Sequence, residues 1–167
     1  MAKRLRDVCK LPEDENLWRL GRGFVVRDLP RSEAELRRIP PFEFENWAVI
    51  ALSGIKNKVQ VGDMGIDGRI YPLSALPQAS GTSHELGFMD QWYPIQVKQK
   101  DKAGRPDIDQ FETAMTRANR TKGFFVSFDF TSDALTEIDR FFRQTRKVII
   151  ALTVREILDE EIAKKLV

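Results

Sequence analysis

The sequence predicts an α/β layered domain with a mixed central sheet, and three observations carry that expectation. From residue 42 onward, segments with helical apolar spacing alternate with short strand-like runs, in the order helix, strand, strand, helix, strand, helix, strand, helix. Two of the strand-like runs, "GFFVSFDF" and "VIIALT", are continuously apolar, the pattern of strands covered on both faces. Two others, at 66–73 and 92–99, follow one another with only a polar loop between them, so they pair as a hairpin and bring antiparallel character to the sheet.

Taken in order, residues 1–23 are polar and irregular, and "FVVRDL" at 24–29 reads as a short strand. "RSEAELRRI" is a short helix with Ser32 and Glu35 as a capping box that satisfies the first backbone N–H groups. In "PFEFENWAVIALSG", Phe44, Trp47, Ala48, Ala51 and Leu52 recur at helical spacing, and Gly54 is a stop. A glycine turn around Asp63 leads into the strand at 66–73. The loop "SALPQASGTSHELGFMDQ" carries the proline, glycine and serine of a surface connection. The strand at 92–99 follows. The helix "PDIDQFETAMTRANR" starts at a capping box of Asp107 and Gln110, with Ile108, Phe111, Ala114, Met115 and Ala118 turned inward. After "GFFVSFDF", Ser132 caps a helix whose inner face is Leu135, Ile138, Phe141 and Phe142. "VIIALT" and the helix "VREILDEEIAKKL" complete the chain.

Composition narrows the class. A chain of 167 residues with 42% hydrophobic and 31% charged residues fits one globular domain with a sizeable core. One cysteine, Cys9, rules out an internal disulfide and a thiolate metal cage, and it fits a reducing, cytoplasmic setting. No apolar run approaches the roughly 20 residues of a membrane span, and the basic N-terminus lacks the apolar core of a secretory signal. Net charge is +2, with basic residues concentrated in "RLGRGFVVR", "KQKDKAGR" and "TRANRTK". Nucleic-acid contact and plain solvation are equal readings of these runs.

The chemistry lies in "GDMGIDGRIY" and "YPIQVKQK". Side chains alternate along a strand. Ile66, Gly68 and Ile70 therefore share one face and Asp67 and Arg69 the other; Tyr93, Ile95 and Val97 lie opposite Gln96 and Lys98. Pairing the two strands lets Asp67, Gln96 and Lys98 converge on one side. A carboxylate, an amide oxygen and an ammonium so placed can hold Mg2+ and a water beside a phosphate. Phosphodiester hydrolysis builds negative charge on the attacking water and the phosphoryl oxygens, and a hard cation on oxygen ligands offsets it. Lysine adds a point charge for the same purpose.

These residues resemble the active-site core of the Mrr-like restriction endonucleases, within the PD-(D/E)XK nuclease superfamily. That pattern is an Ile-Asp-Gly after a glycine-rich turn and a Gln-x-Lys on the next strand, here Asp67, Gln96 and Lys98. The helix "FEFENWAV" is similar to the family's first helix, whose Phe-Glu pair implies Glu45 as a further acid. "IDQFETAM…KGFFVSFDFTSDAL" resembles the helix, apolar strand and turn that follow. The resemblance runs from about Pro41 to Leu158. It implies a restriction-endonuclease-like three-layer core, with residues 1–40 as an N-terminal arm or linker and 41–167 as the catalytic domain. It implies a Mg2+-dependent DNA endonuclease of restriction or defence, with Mn2+ able to substitute. Asp67, Gln96 and the Val97 carbonyl would hold the metal, Glu45 would bind it through water or a second ion, and Lys98 would stabilise the phosphoryl charge. "FENWAVIAL…GDMGIDGRIY" resembles domains appended to bacterial adenine-specific DNA methyltransferases, which implies DNA and a methyltransferase domain or subunit as partners. A homodimer would allow both strands to be cut. Because glutamine lacks the charge of the usual acid, a module that binds nucleic acid without efficient cleavage is the second reading.

Other residues carry plainer expectations. Asp63 is a turn residue and Asp107 a helix cap. Asp109 and Gln110 sit outside the site, and His84, in a loop, is no general base. Trp18, Trp47 and Trp92 read as packing residues, with Trp92 on the site face and open as a base-stacking platform. Arg105, Arg117, Arg120 and Lys122 are candidate phosphate contacts, with solvated charge the equal alternative.

Overall fold

The computed structural model describes Pro30 and residues 32–57, 65–72 and 91–159. The expected strand at 24–29, the turn at Asp63, nearly all of the 74–91 loop, Cys9, Trp18, His84 and the end of the last helix lie outside these residues. Those described from Ser32 onward belong to one compact unit.

The elements are α1 (Glu33–Leu36), α2 (Pro41–Ala51), β1 (Ile55–Lys56), β2 (Gly68–Ile70), β3 (Tyr93–Val97), α3 (Arg105–Arg117), β4 (Lys122–Ser127), α4 (Ser132–Thr145), β5 (Val148–Thr153) and α5 (Val154–Leu158). The five strands form one sheet in the order β1-β2-β3-β4-β5. β1, β2 and β3 pair antiparallel, whereas β3, β4 and β5 are parallel, each joined to the next through a helix. β1 is a strand that sequence reading misses, because two residues are too few for a period-2 signal.

The sheet has a core on each face, which makes three layers. On one face Ile95, Val97, Phe124 and Val126 pack with Leu36 of α1, Phe44, Trp47 and Val49 of α2, and Val154 and Ile157 at α5. On the other, Phe125 and Ile149 pack with Ile108, Phe111 and Met115 of α3 and Ala134 and Phe141 of α4. β4 is thus covered on both faces, as its apolar run predicts. Phe44, Phe111 and Phe125 are fully buried, each worth about 1.5–3 kcal/mol against exposure. Phe44 stacks on Phe128 with ring centroids 5.1 Å apart.

Helix starts and faces differ in detail from the periodicity. Ser32 Oγ accepts from the Glu35 N–H at 3.3 Å, as expected. In α2 the core position is Val49, and Ala51 is exposed. At α3 the N-cap is Gly104, and Asp107 lies three residues in, its Oδ2 accepting the Gly104 N–H at 3.0 Å. α4 is capped by Thr131 rather than Ser132, its Oγ1 accepting from the Ala134 N–H at 3.2 Å. Its inner face is Ala134, Glu137 and Phe141, with Leu135 and Phe142 exposed. A buried glutamate on that face is invisible to an apolar count. α5 opens with a Thr153–Glu156 capping box.

Candidate active site

β2 and β3 do pair as an antiparallel ladder across the long connection, with Gly68 opposite Ile95, Arg69 opposite Pro94 and Ile70 opposite Tyr93. The paired register ends at Gly68, and the Asp67 N–H returns to the carbonyl of the same partner, Ile95, rather than stepping on to Gln96. The expected alternation holds on β3, where Tyr93, Ile95 and Val97 face α2 and Gln96 turns away. It fails at Ile66, which joins the core on the α3 face while Gly68 and Ile70 face α2. Regular strand geometry begins only at Gly68, so residues 65–67 form a turn rather than a strand.

That turn is held at both ends. Gly65 adopts the left-handed conformation at φ 81°, which costs a glycine nothing. The Asn57 side chain donates to the Ile66 carbonyl at 2.7 Å, and the Asn57 N–H donates to the Asp67 carbonyl at 3.2 Å. The Asp67 N–H donates to the Ile95 carbonyl at 2.8 Å. Its carboxylate then closes the ladder: Oδ2 accepts the Val97 N–H at 2.7 Å. Gly68 is required by packing, since a Cβ there would sit 2.7 and 2.8 Å from the Val49 methyls.

Gln96 is only 3% exposed, and its Oε1 is buried without a hydrogen-bond donor among the described residues. Its Nε2 lies beneath the Gly65 turn, 3.4 Å from where a Gly65 Cβ would be. An acceptor buried in this way costs about 1–3 kcal/mol. Lys98 is half-buried, and its N–H donates to the Val126 carbonyl at 2.9 Å, so the backbone continues the β3–β4 pairing. Its ammonium makes no ion pair among the described residues.

Two residues on, Lys100 is committed. Its ammonium donates to both oxygens of Asp107, at 2.7 and 3.0 Å. Burial pushes the Asp107 carboxyl up. Hydrogen bonds from Lys100 and the Gly104 N–H, with the charges of Lys100 and Lys98, outweigh that and hold it below its usual range. Asp107 is therefore an ionised partner of Lys100 and not a free ligand. Glu45 is half-buried beside Phe44 on α2, with no hydrogen bond or ion pair among the described residues. No such bond joins it to Asp67, Gln96 or Lys98.

Trp47 is a core residue. Trp92 is 9% exposed, and the Arg69 and Arg120 guanidinium carbons lie within 4.4 Å of its ring centroid. The ring is given over to packing and to two cations, not to a base. Arg105 pairs with Glu137 at 3.2 Å and Asp109 at 3.7 Å, so it too is occupied.

Nothing in the residue pattern signals the carboxylate group that lies in the seam of α3 and α4. Oxygens of Asp109, Glu112 and Glu137 lie within 4.8 Å of one another. Burial, then the charges of Glu137 and Asp109, raise the Glu112 carboxyl to about 7. Arg105 and Arg140 neutralise Glu137. This is an ion-pair network in the seam of α3 and α4.

A three-layer unit whose mixed sheet ends its antiparallel ladder at an Asp and a Gln-x-Lys defines a restriction-endonuclease-like nuclease domain. The comparisons agree. The chain belongs to the Mrr-type restriction endonuclease family, whose family model matches residues 36–159. No curated protein and no solved structure matches the chain. Among the described residues no helix is long and apolar enough to cross a membrane.

Proposed function

We propose that the chain is a Mg2+-dependent endonuclease that hydrolyses DNA phosphodiester bonds in a restriction or defence setting, with Mn2+ able to substitute. The Gln96 Oε1 carries the reading: a buried acceptor with no donor among the described residues, next in the chain to Val97, whose N–H holds the Asp67 carboxylate. An oxygen so placed suits a hard cation, which needs no hydrogen to be supplied. Asp67, Gln96 and the Val97 carbonyl are the proposed ligands, with Glu45 acting through water or a second ion. Bound there, the cation supplies a water of lowered pKa and offsets phosphoryl charge.

The residues divide the remaining work. The Val97 N–H anchors the Asp67 carboxylate to the ladder, so its orientation is set before substrate arrives. Gln96 contributes position but no charge, which leaves Asp67 and Glu45 to balance the cation. Lys98, without a carboxylate partner among the described residues, is the ammonium offered to the phosphoryl oxygens and the attacking water. One such site cuts one strand. Double-strand cleavage takes a homodimer or two successive visits. The likeness of residues 44–71 to domains appended to adenine methyltransferases supports a methyltransferase partner and a cytoplasmic setting.

Nicking of supercoiled plasmid in Mg2+ or Mn2+ tests this, with Asp67→Ala and Lys98→Ala beside the parent. The parent is expected to nick and both variants to fail. A parent that binds DNA but never nicks makes the chain a nucleic-acid-binding or assembly module that has kept the fold.

A further inference from the structure

We propose that Gln99 is a positioning residue of the nuclease site. Its carboxamide bolts the chain just past Lys98 to the connection between α1 and α2, and so fixes that lysine relative to the helix that carries Glu45. This role rests on the nuclease reading, and on Lys98 as the ammonium that meets the phosphate.

The need for a bolt follows from how the strand ends. β3 closes at Val97, whose N–H meets Asp67 Oδ2 on the β2 side at 2.7 Å. Past that point the bonds to the sheet come from β4. The Lys98 N–H donates to the Val126 carbonyl at 2.9 Å. The Lys100 carbonyl accepts from the buried Ser127 hydroxyl at 3.1 Å and from the Phe128 N–H at 3.3 Å. Between these two holds the Lys100 N–H donates back to the Lys98 carbonyl at 2.8 Å, which makes a three-residue turn centred on Gln99. A strand end paired along one edge and folded into a turn can still pivot about that edge.

Gln99 supplies the hold on the other side. Its Nε2 donates to the Leu36 carbonyl at 2.9 Å and to the Ile39 carbonyl at 2.8 Å. Both acceptors need a donor from outside. Leu36 ends α1, and the last carbonyls of a helix have no partner within it. Pro40, four residues past Leu36, and Pro41 after it have no N–H to give. The anchorage is firm, because the Leu36 side chain is fully buried in the core on the α2 face and Ile39 packs against that core. α2 starts at Pro41 without a side-chain cap, so the bond to Ile39 also ties the start of that helix to the strand, one turn ahead of Glu45.

The position of this glutamine carries the inference beyond a helix cap. It is the central residue between the two lysines, so its anchor sets where each leaves the backbone. Lys100 goes to Asp107, and Lys98 is kept for the phosphate. With the anchor gone the turn can open, and Lys98 loses its fixed offset from Asp67 and α2. A catalytic group displaced by about 1 Å can lose on the order of a hundredfold in rate.

The test pairs amide hydrogen exchange with plasmid nicking, on the full chain. Gln99→Met keeps the length and removes both donors. Gln99→Asn keeps the amide and withdraws its reach, and it reads the same effect if the Met variant melts early. Ser32→Ala is the control: it takes the cap from the other end of α1 and touches neither lysine. Gln99→Met is expected to speed exchange of the Lys100 amide by about tenfold or more. Well below its Tm it should lower kcat by about tenfold, with KM within about twofold of the parent. Ser32→Ala should lower Tm and leave both readings alone. Unchanged exchange, or an unchanged kcat where the parent nicks, overturns the role of Gln99 and leaves the nuclease reading standing. So does a kcat loss that Ser32→Ala shares at an equal drop in Tm, because the amide is then a helix cap and no more. A parent that nicks in neither Mg2+ nor Mn2+ sinks the nuclease reading, and this role with it.

Discussion

Replacing Gln96 by Met should make the protein more stable and less active at once. Met has nearly the length and shape of Gln and no acceptor to leave unpaired. The parent buries Oε1 at a position 3% exposed without a donor among the described residues, a cost of about 1–3 kcal/mol. Relieving it, less a few tenths for imperfect packing, should raise the unfolding free energy by roughly 1–2 kcal/mol. For a chain of this size that is a rise in Tm of about 2–8 °C. Added Mg2+ should stabilise the parent, by about 1.4 kcal/mol at tenfold over Kd, and leave Gln96→Met unmoved. Nicking should fall by about a hundredfold or more. Differential scanning fluorimetry with and without Mg2+, beside the plasmid assay, reads all three effects. A variant that melts lower than the parent in EDTA would refute the reasoning, because it would mean that Oε1 is already satisfied and waits for nothing.

Three further outcomes follow from the same geometry. Asp67→Asn keeps an oxygen for the Val97 N–H, so it should lose nicking while shifting stability by less than about 1 kcal/mol, whereas Asp67→Ala strands that donor and should cost about 1–3 kcal/mol by urea unfolding. Gly68→Ala drives a Cβ into the Val49 methyls and should destabilise by about 1–3 kcal/mol, with much of the loss recovered in the Gly68→Ala/Val49→Ala double variant. Glu112 holds its proton in the fold up to about 7 but releases it near 4.5 when unfolded, so its contribution must fall as pH rises between those values; Glu112→Gln should flatten that part of the stability–pH curve and gain most over the parent above pH 7.

Element type and sheet pairing were legible because they rest on period and apolar run length. The Ile108, Phe111, Ala114 and Met115 stripe put α3 on the sheet, and "GFFVSF" marked a doubly covered strand. Details that depend on single polar bonds were not legible. Asp107 resembles an N-cap in sequence and is an N3 residue in the fold, because Lys100 and the Gly104 N–H compete for its carboxylate. Glu137 sits where an apolar residue is expected because Arg105 and Arg140 accompany it inward. Ile66 leaves the strand alternation because the left-handed Gly65 turns the chain before β2 begins. In the candidate site, the pairing of the two strands followed from sequence; the return of the Asp67 N–H to Ile95, the carboxylate's bond to Val97 and the stranded Gln96 oxygen needed coordinates.

The two lysines of "VKQK" bear on how charge would reach the proposed site. Alternation places Lys98 and Lys100 on the same side of the chain, and sequence alone gives either the same claim on a phosphate. The fold separates them: Asp107 takes Lys100, and Lys98 is left to feel Asp107 only as a more distant charge. On the proposed reading, Lys100 would keep Asp107 from drawing Lys98 away. Removing it should turn that arrangement against the enzyme. In Lys100→Gln, the ionised Asp107 draws the Lys98 ammonium toward itself, and nicking should fall by about tenfold, the equivalent of roughly 1.4 kcal/mol. Asp107→Asn keeps an acceptor for the Gly104 N–H and removes the charge, so the double variant should regain most of the loss. The single variant's defect should shrink as salt rises, since the pair is partly exposed and screened. If the double variant is as slow as Lys100→Gln, the lysine serves the substrate directly, and the division of labour between the two is wrong.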